Sequence, residues 1–294
     1  MESPPDTAAR SHRLGSIRRQ SEALIAGLEP EDLCLQGMAD ASPPKWHLGH
    51  TGWFFETFLL ASELPEHEPA DSRWGYLFNS YYDTIGERLA RPLRGLLTRP
   101  TIAEVLAWRQ RVDASLLLLI ERLDQRPPAQ RSAPLALLEL GLQHEQQHQE
   151  LLLMDLLDGF ARNPLEPAYR CGPDGPEARY ANGPQGAGGA TNIAPGARGW
   201  RTHPGGLIEL GHPGEEAAGF HFDNETPRHR HWLEPFAIQG PLVSNGDYAA
   251  FIADGGYRRP ELWMSEGWAL ASRQGWQAPR YWRGSGAAEG WEWE

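Results

Sequence analysis

The sequence predicts a multidomain chain of the α and α+β classes, with a four-helix bundle first and a smaller mixed region after it. Three observations carry this. Between residues 8 and 158, long stretches place apolar side chains at helical spacing between recognisable start and stop signals. A tract rich in Gly, Pro, Ala and Asn follows over residues 161–199. Beyond Arg201 the chain reads as short strands, turns and short helices, with many tryptophans.

The elements follow in order. Ala8 to Gly27 predicts an amphipathic helix ending at glycine. Ser42-Pro43 opens a second helix, a capping side chain followed by proline in the first turn, running to Glu63. That helix is apolar nearly all round, with Trp46, Leu48, Trp53, Phe54, Phe55, Phe58, Leu59 and Leu60, so most of its faces are buried. Thr101-Ile-Ala-Glu104 is a capping box that starts a third helix reaching about Leu123. Ser132 caps a fourth, from about Pro134 to Asp158, stopped by Gly159 and Pro164. Four such helices predict an up-and-down bundle. The connection from Leu64 to Pro100 is long and rich in Trp, Tyr, Arg and Pro, as functional loops are. The tract after residue 161 reads as a connector holding at most one short hairpin. In the last part, Gly205 to Gly211 and His231 to Gly240 read as strands, and Ser244 to Asp254 and Glu261 to Ala271 as short helices.

Bulk properties narrow the function classes. The 294 residues carry a formal net charge of −12, with a sequence pI near 5.4. An acidic chain has no electrostatic footprint for nucleic acid or for an anionic membrane. Cys34 and Cys171 form no C-x-x-C pair, which argues against a disulfide framework or a thiolate zinc site and fits a reducing cytoplasm. The polar N-terminus has no apolar signal region, and the longest apolar runs, Leu116 to Ile120 and Leu151 to Met154, are too short to span a bilayer.

One constellation points to chemistry. His144 and His148, four residues apart, share a helix face, the spacing with which a helix gives two imidazoles to one metal. The stripe Leu137, Gly141, His144, His148, Leu151 turns that face into the bundle. By itself H-x-x-x-H is common, and two histidines satisfied by neighbouring Glu and Gln would look the same. The second helix adds Trp46-His47-Leu48-Gly49-His50 in an apolar setting, and a third imidazole from a facing helix completes a three-nitrogen set. Spacing leaves His47 and His50 open. Imidazole suits Fe, Zn, Cu and Ni, and three protein ligands leave positions for catalysis. Arg88, Arg91, Arg94 and Arg99 in the long loop read as a clamp for substrate carboxylates, against the commoner reading of solvated loop charges.

At these residues the sequence resembles the ergothioneine-biosynthesis sulfoxide synthases, the hercynine oxygenase or EgtB family. The matching segments are Ser42 to Thr51 (SPPKWHLGHT), Leu77 to Tyr82 (LFNSYY), Arg94 to Pro100 (RGLLTRP) and Gly141 to Leu152 (GLQHEQQHQELL). The resemblance implies a DinB-like four-helix bundle with the metal site over residues 1–162, a connector over 163–200, and, over 201–294, the first part of a formylglycine-generating-enzyme/sulfatase-modifying-factor-like (C-type-lectin-like) domain. Gly206 to Gly211, Phe222 to Glu225 and Pro241 to Asn245 carry that second likeness. It further implies Fe(II) on His50, His144 and His148, so the family selects His50 over His47. Gln147 matches a position contacting the histidine-derived substrate, and Arg91 and Arg94 match positions binding the thiol's carboxylate. The substrates implied are hercynine, cysteine or γ-glutamylcysteine, and dioxygen, joined in a carbon–sulfur bond with oxidation to a sulfoxide. Family chains continue past residue 294, and the tyrosine that assists catalysis is expected beyond the C-terminus, which makes the second domain incomplete on this reading. Rival readings are a DinB-type metal-dependent thiol transferase, which would lack residues 200–294, and an inactive truncated relative. A copper-dependent formylglycine-generating activity would need a cysteine pair after Cys171, and none follows.

Overall fold

The structure is a computed structural model and describes residues 7–80, 85–165, 167–169, 199–214, 219–284 and 291–293. The connector expected over 163–200 lies largely outside the described residues, as do Cys171 and the Tyr81-Tyr82 pair. The chain divides into two compact units, residues 1–181 and 182–294.

The first unit is built on four long helices: α1 (Thr7–Ile25), α2 (Pro44–Phe55), α5 (Ile102–Asp124) and α6 (Pro128–Ala161). Between α2 and α5 lie a π-helical turn (Glu56–Leu60), the single turn α3 (Ala61–Glu63), a short helix α4 (Arg73–Phe78) and a 3₁₀ stretch (Arg91–Leu96). The long loop of the sequence is therefore partly helical. Both α1 and α2 pack on α5 and α6, which places α1 and α2 on a diagonal. This refines the up-and-down order, because the link over residues 26–43 crosses the bundle.

Each helix start has a local cause. At α5, Thr101 accepts from the Glu104 amide while Glu104 accepts from the Thr101 amide, the reciprocal box its sequence predicts. Extended Pro43 precedes α2, with Pro44 at its first position, and Ser42 makes no cap. The start of α6 also differs from expectation. It begins at Pro128, six residues before Pro134, because Pro127-Pro128 pre-sets the first turn. Pro134 then sits inside the helix, and Ser132 caps nothing. Gly159 does not stop it either; a Cβ there would come within 2.4 Å of the Leu35 side chain, so glycine admits close packing.

Every residue of α2 is buried. Trp46, Leu48, Trp53, Phe54 and Phe55 join Leu14, Leu24, Val105, Trp108, Val112, Leu116, Leu138 and Leu142 in one core. Among the described residues, no helix is long and apolar enough to cross a membrane.

Among its described residues, the second unit holds three antiparallel two-stranded ribbons. β1 (Trp200–His203) pairs with β4 (Phe236–Gln239), β2 (Gly206–Leu210) with β3 (His229–Leu233), and β5 (Trp282–Gly284) with β6 (Trp291–Trp293). The single strand expected from His231 to Gly240 is two, because Pro235 falls between them and cannot donate to a ladder. Helix α7 (Asn245–Ala253) is capped by Ser244. The helix expected from Glu261 becomes a 3₁₀ turn and then α8 (Ser265–Gln274), which ends at left-handed Gly275 (φ 66°).

Candidate metal centre

His50 on α2 faces His144 and His148 on α6. The Nε2 atoms of His50 and His144 are 3.3 Å apart, and those of His144 and His148 are 3.1 Å apart. His50 Nδ1 lies 2.6 Å from the Phe78 carbonyl oxygen. A carbonyl only accepts, so Nδ1 carries the proton and Nε2 turns a lone pair into the cluster. Burial, and then neighbouring His144, hold His50 well below the usual imidazole range. Burial, and then His50, do the same to His148. Burial brings His144 to about 4. At neutral pH all three rings are therefore neutral, as an imidazole must be to bind a metal. The donor set fits a first-row divalent metal: ligands ~2.1 Å from an ion and at right angles to each other stand about 3 Å apart. Among the described residues, these three form the cluster able to hold a metal ion.

The helix faces explain the placement, with one difference from the stripe argument. His50 is buried, but His144 and His148 are half-buried and open on a cleft of about 420 Å³. The residue turned fully into the bundle is Glu145. It accepts from Arg18 on α1 at 2.7 Å, from Arg109 on α5 at 2.7 Å and from Ser21 at 2.6 Å. Arg109 also donates to the Leu48 carbonyl and to Thr51 on α2. One buried network thus ties all four helices at the level of the histidines. Burial pushes the Glu145 carboxyl up, but Arg18, Arg109 and Ser21 outweigh it and bring it to about 2.

The cleft collects the residues picked out in the sequence. Arg91, Arg94 and Gln147 line it together with His50, His144 and His148. Arg94 is buried, its guanidinium carbon 3.4 Å from the centre of the Trp46 ring, and it donates to Ser42 Oγ at 2.8 Å. Trp46 in turn stacks on His50, 4.7 Å between centres and 11° from parallel. Arg91 is half-buried and donates to the Asp40 carbonyl; Gln147 is exposed at the rim. Arg88 and Arg99 do not line the cleft: Arg88 donates to the Ser80 carbonyl and Arg99 to that of Thr98.

His47 is brought to the site as well, behind the other three. Its Nδ1 is 2.8 Å from His148 Nδ1, and its Nε2 is 3.1 Å from Asp155 Oδ2. Burial lowers its pKa against the pull of Asp155. Sequence reasoning missed Asp155, Ser42, Trp46 and Ser80 as lining residues. Asp155 had a usable signal, since it lies seven residues after His148 and continues the stripe of His144, His148 and Leu151. Ser42 was hidden by its plausibility as a cap.

Comparison with known proteins agrees with this architecture. Residues 13–152 match the DinB superfamily, and residues 200–293 match the sulfatase-modifying factor enzyme 1-like domain. The hercynine oxygenase of Mycolicibacterium smegmatis is 29% identical over 274 residues, which cover 92% of this chain and 56% of that protein. That of Mycolicibacterium thermoresistibile is 28% identical over 256 residues, covering 83% and 48%. That of Mycobacterium tuberculosis is 41% identical over 64 residues, covering 22% and 15%. The chain spans about half the length of the curated relatives it matches over most of its sequence. A DinB-superfamily domain followed by a sulfatase-modifying-factor-like one, together with these relatives, makes the chain similar to the hercynine oxygenases over most of its length.

Proposed function

We propose that this chain is an iron- and oxygen-dependent enzyme of ergothioneine biosynthesis that joins a cysteine-type thiol, cysteine or γ-glutamylcysteine, to hercynine as a sulfoxide. The observation that carries the reading is the convergence of three neutral imidazole Nε2 atoms, 3.1 and 3.3 Å apart, at the wall of a cleft lined by two arginines. Fe(II) held by His50, His144 and His148 would supply the dioxygen chemistry and acidify the bound thiol.

The protein groups do the rest. His50 is held with its lone pair inward by Phe78, so its ring needs no reorganisation on loading. Arg94 sits over the Trp46 ring and is steadied by Ser42 and Ser80, which places its positive charge on the cleft wall for a substrate carboxylate. Arg91 adds a second positive charge at the mouth, and Gln147 offers an amide to the substrate's imidazole. The cleft volume lies in the range of small-molecule sites. Holding both substrates there replaces a multi-body encounter by a local one. A cytoplasmic setting with small-molecule partners, and with neither nucleic acid nor membrane, accompanies this reading.

The test is anaerobic loading of the purified chain with ferrous iron, beside His50→Ala, His144→Ala and His148→Ala. About one iron per chain, lost in each variant while helicity persists, is the expected result. Oxygen uptake should then require both hercynine and thiol. Zinc retained in preference to iron, with no oxygen uptake, would favour a DinB-type thiol transferase. Iron bound with no turnover would favour an inactive relative.

A further inference from the structure

We propose that Asp155 and His47 form a positioning relay that fixes which nitrogen of His148 faces the metal. The tautomer assignment stands on hydrogen bonds alone; its bearing on metal affinity rests on the three-histidine reading above.

Two ring nitrogens 2.8 Å apart share one proton, so one of His47 Nδ1 and His148 Nδ1 donates. The far end of His47 decides which. Its Nε2 is 3.1 Å from Asp155 Oδ2, an acceptor that also takes the Ser42 amide at 2.8 Å. A lone pair at Nε2 would face a carboxylate oxygen, so Nε2 carries the proton of neutral His47. Its Nδ1 is then the acceptor, and His148 Nδ1 must donate to it. His148 Nε2 is left as a lone pair, 3.1 Å from His144 Nε2. The opposite arrangement would put a proton on His148 Nε2 and aim it into the metal cluster. Asp155 is thus two hydrogen bonds away from the metal-facing nitrogen, yet selects its state. It does so from the same helix, seven residues on from His148. The same carboxylate reaches Arg94 through Ser42, whose amide it accepts and whose hydroxyl accepts from the guanidinium. His50 obtains its tautomer from a backbone carbonyl, whereas His148 depends on two side chains, so mutation can separate the two ligands.

The experiment is histidine-selective ¹⁵N NMR on the full metal-free chain, followed by titration with Co²⁺, whose visible bands report coordination. Wild type should show His148 protonated at Nδ1 and His47 at Nε2. Asp155→Asn can keep an amide oxygen in place of Oδ2 and should preserve both. Asp155→Leu removes the acceptor: His148 should lose its Nδ1–H preference, and Co²⁺ should bind about 10–100-fold more weakly with altered bands. His148 protonated at Nε2 in wild type overturns the relay without recourse to any variant. So does an Asp155→Leu chain with wild-type tautomers and Co²⁺ affinity. Wild-type tautomers as assigned, with no Co²⁺ bound, would leave the relay standing and remove the metal reading instead.

Discussion

The bundle core and the ribbons of the second unit use tryptophan and leucine in opposite ways. In the bundle, Trp46, Trp108, Phe55 and Leu116 are at most 2% exposed and sit in one continuous core. In the ribbons of the second unit, Leu207 and Trp232 face each other across β2 and β3, and each is 61% exposed. Trp200 and Ile238 stand open in the same way. Strand pairing satisfies backbone groups but buries nothing by itself, and a two-stranded ribbon is marginal alone. Four packed helices supply the burial and then hold charge inside it. The lesson is that the same residue types report burial only through the elements that carry them.

The sharpest way to break this comparison is to attack the interior of the bundle. Glu145→Leu leaves buried Arg109 without its carboxylate and Arg18 with Asp113 alone, and should cost about 3–5 kcal/mol, read from denaturant unfolding of the helical signal. Phe55→Ala in the core should cost about 3–5 kcal/mol by the same measurement. Next comes metal. At a free concentration 100 times its Kd, a bound ion should raise bundle stability by about 2.7 kcal/mol, reversed by chelator, with no change in the second unit's transition.

Acid should separate the units too. The Glu145 carboxyl is near 2 in the folded chain against an ordinary value of 4.5. A depressed folded value stabilises above 4.5, and that contribution is lost as pH falls from about 4.5 towards 2. Helix circular dichroism followed through this window should show the bundle loosening. Capping sharpens the contrast from the other side, because both units use the same device. Thr101→Ala at α5 and Ser244→Ala at α7 should each cost about 1 kcal/mol. Smallest of all, Trp232→Ala should fall within about 0.5 kcal/mol. A loss comparable to that of Phe55→Ala would mean the ribbon face is covered in solution.

Local signals made much of the bundle legible. Thr101 with Glu104 announced α5, and the histidine spacing on α6 announced the face that meets His50. What stayed hidden was long-range. Nothing near Glu145 in sequence reveals that Arg18 and Arg109 meet it, because its partners lie 127 and 36 residues away. His144 and Glu145 look interchangeable in a stripe, and only the packing of four helices shows which one turns inward. The placement of the arginines was half legible: Arg91 and Arg94, on the 3₁₀ turn that the loop composition did not declare, line the cleft, while Arg88 and Arg99 do not. The start of α6 was misplaced because Pro134 reads as a boundary, whereas Pro127-Pro128 lay closer to the end of α5.

Gly49 carries a consequence out of proportion to its size. A Cβ there would stand 2.2 Å from the Phe78 ring, and the Phe78 carbonyl is what orients His50. Enlarging position 49 therefore displaces a ring, the ring displaces a backbone oxygen, and the imidazole loses its bearing. Positions 49 and 78 are thus sterically coupled. Alanine at 49 would call for a smaller side chain at 78. Paired substitutions there would show how far the site's inner dimensions can be retuned without touching any of its three histidines.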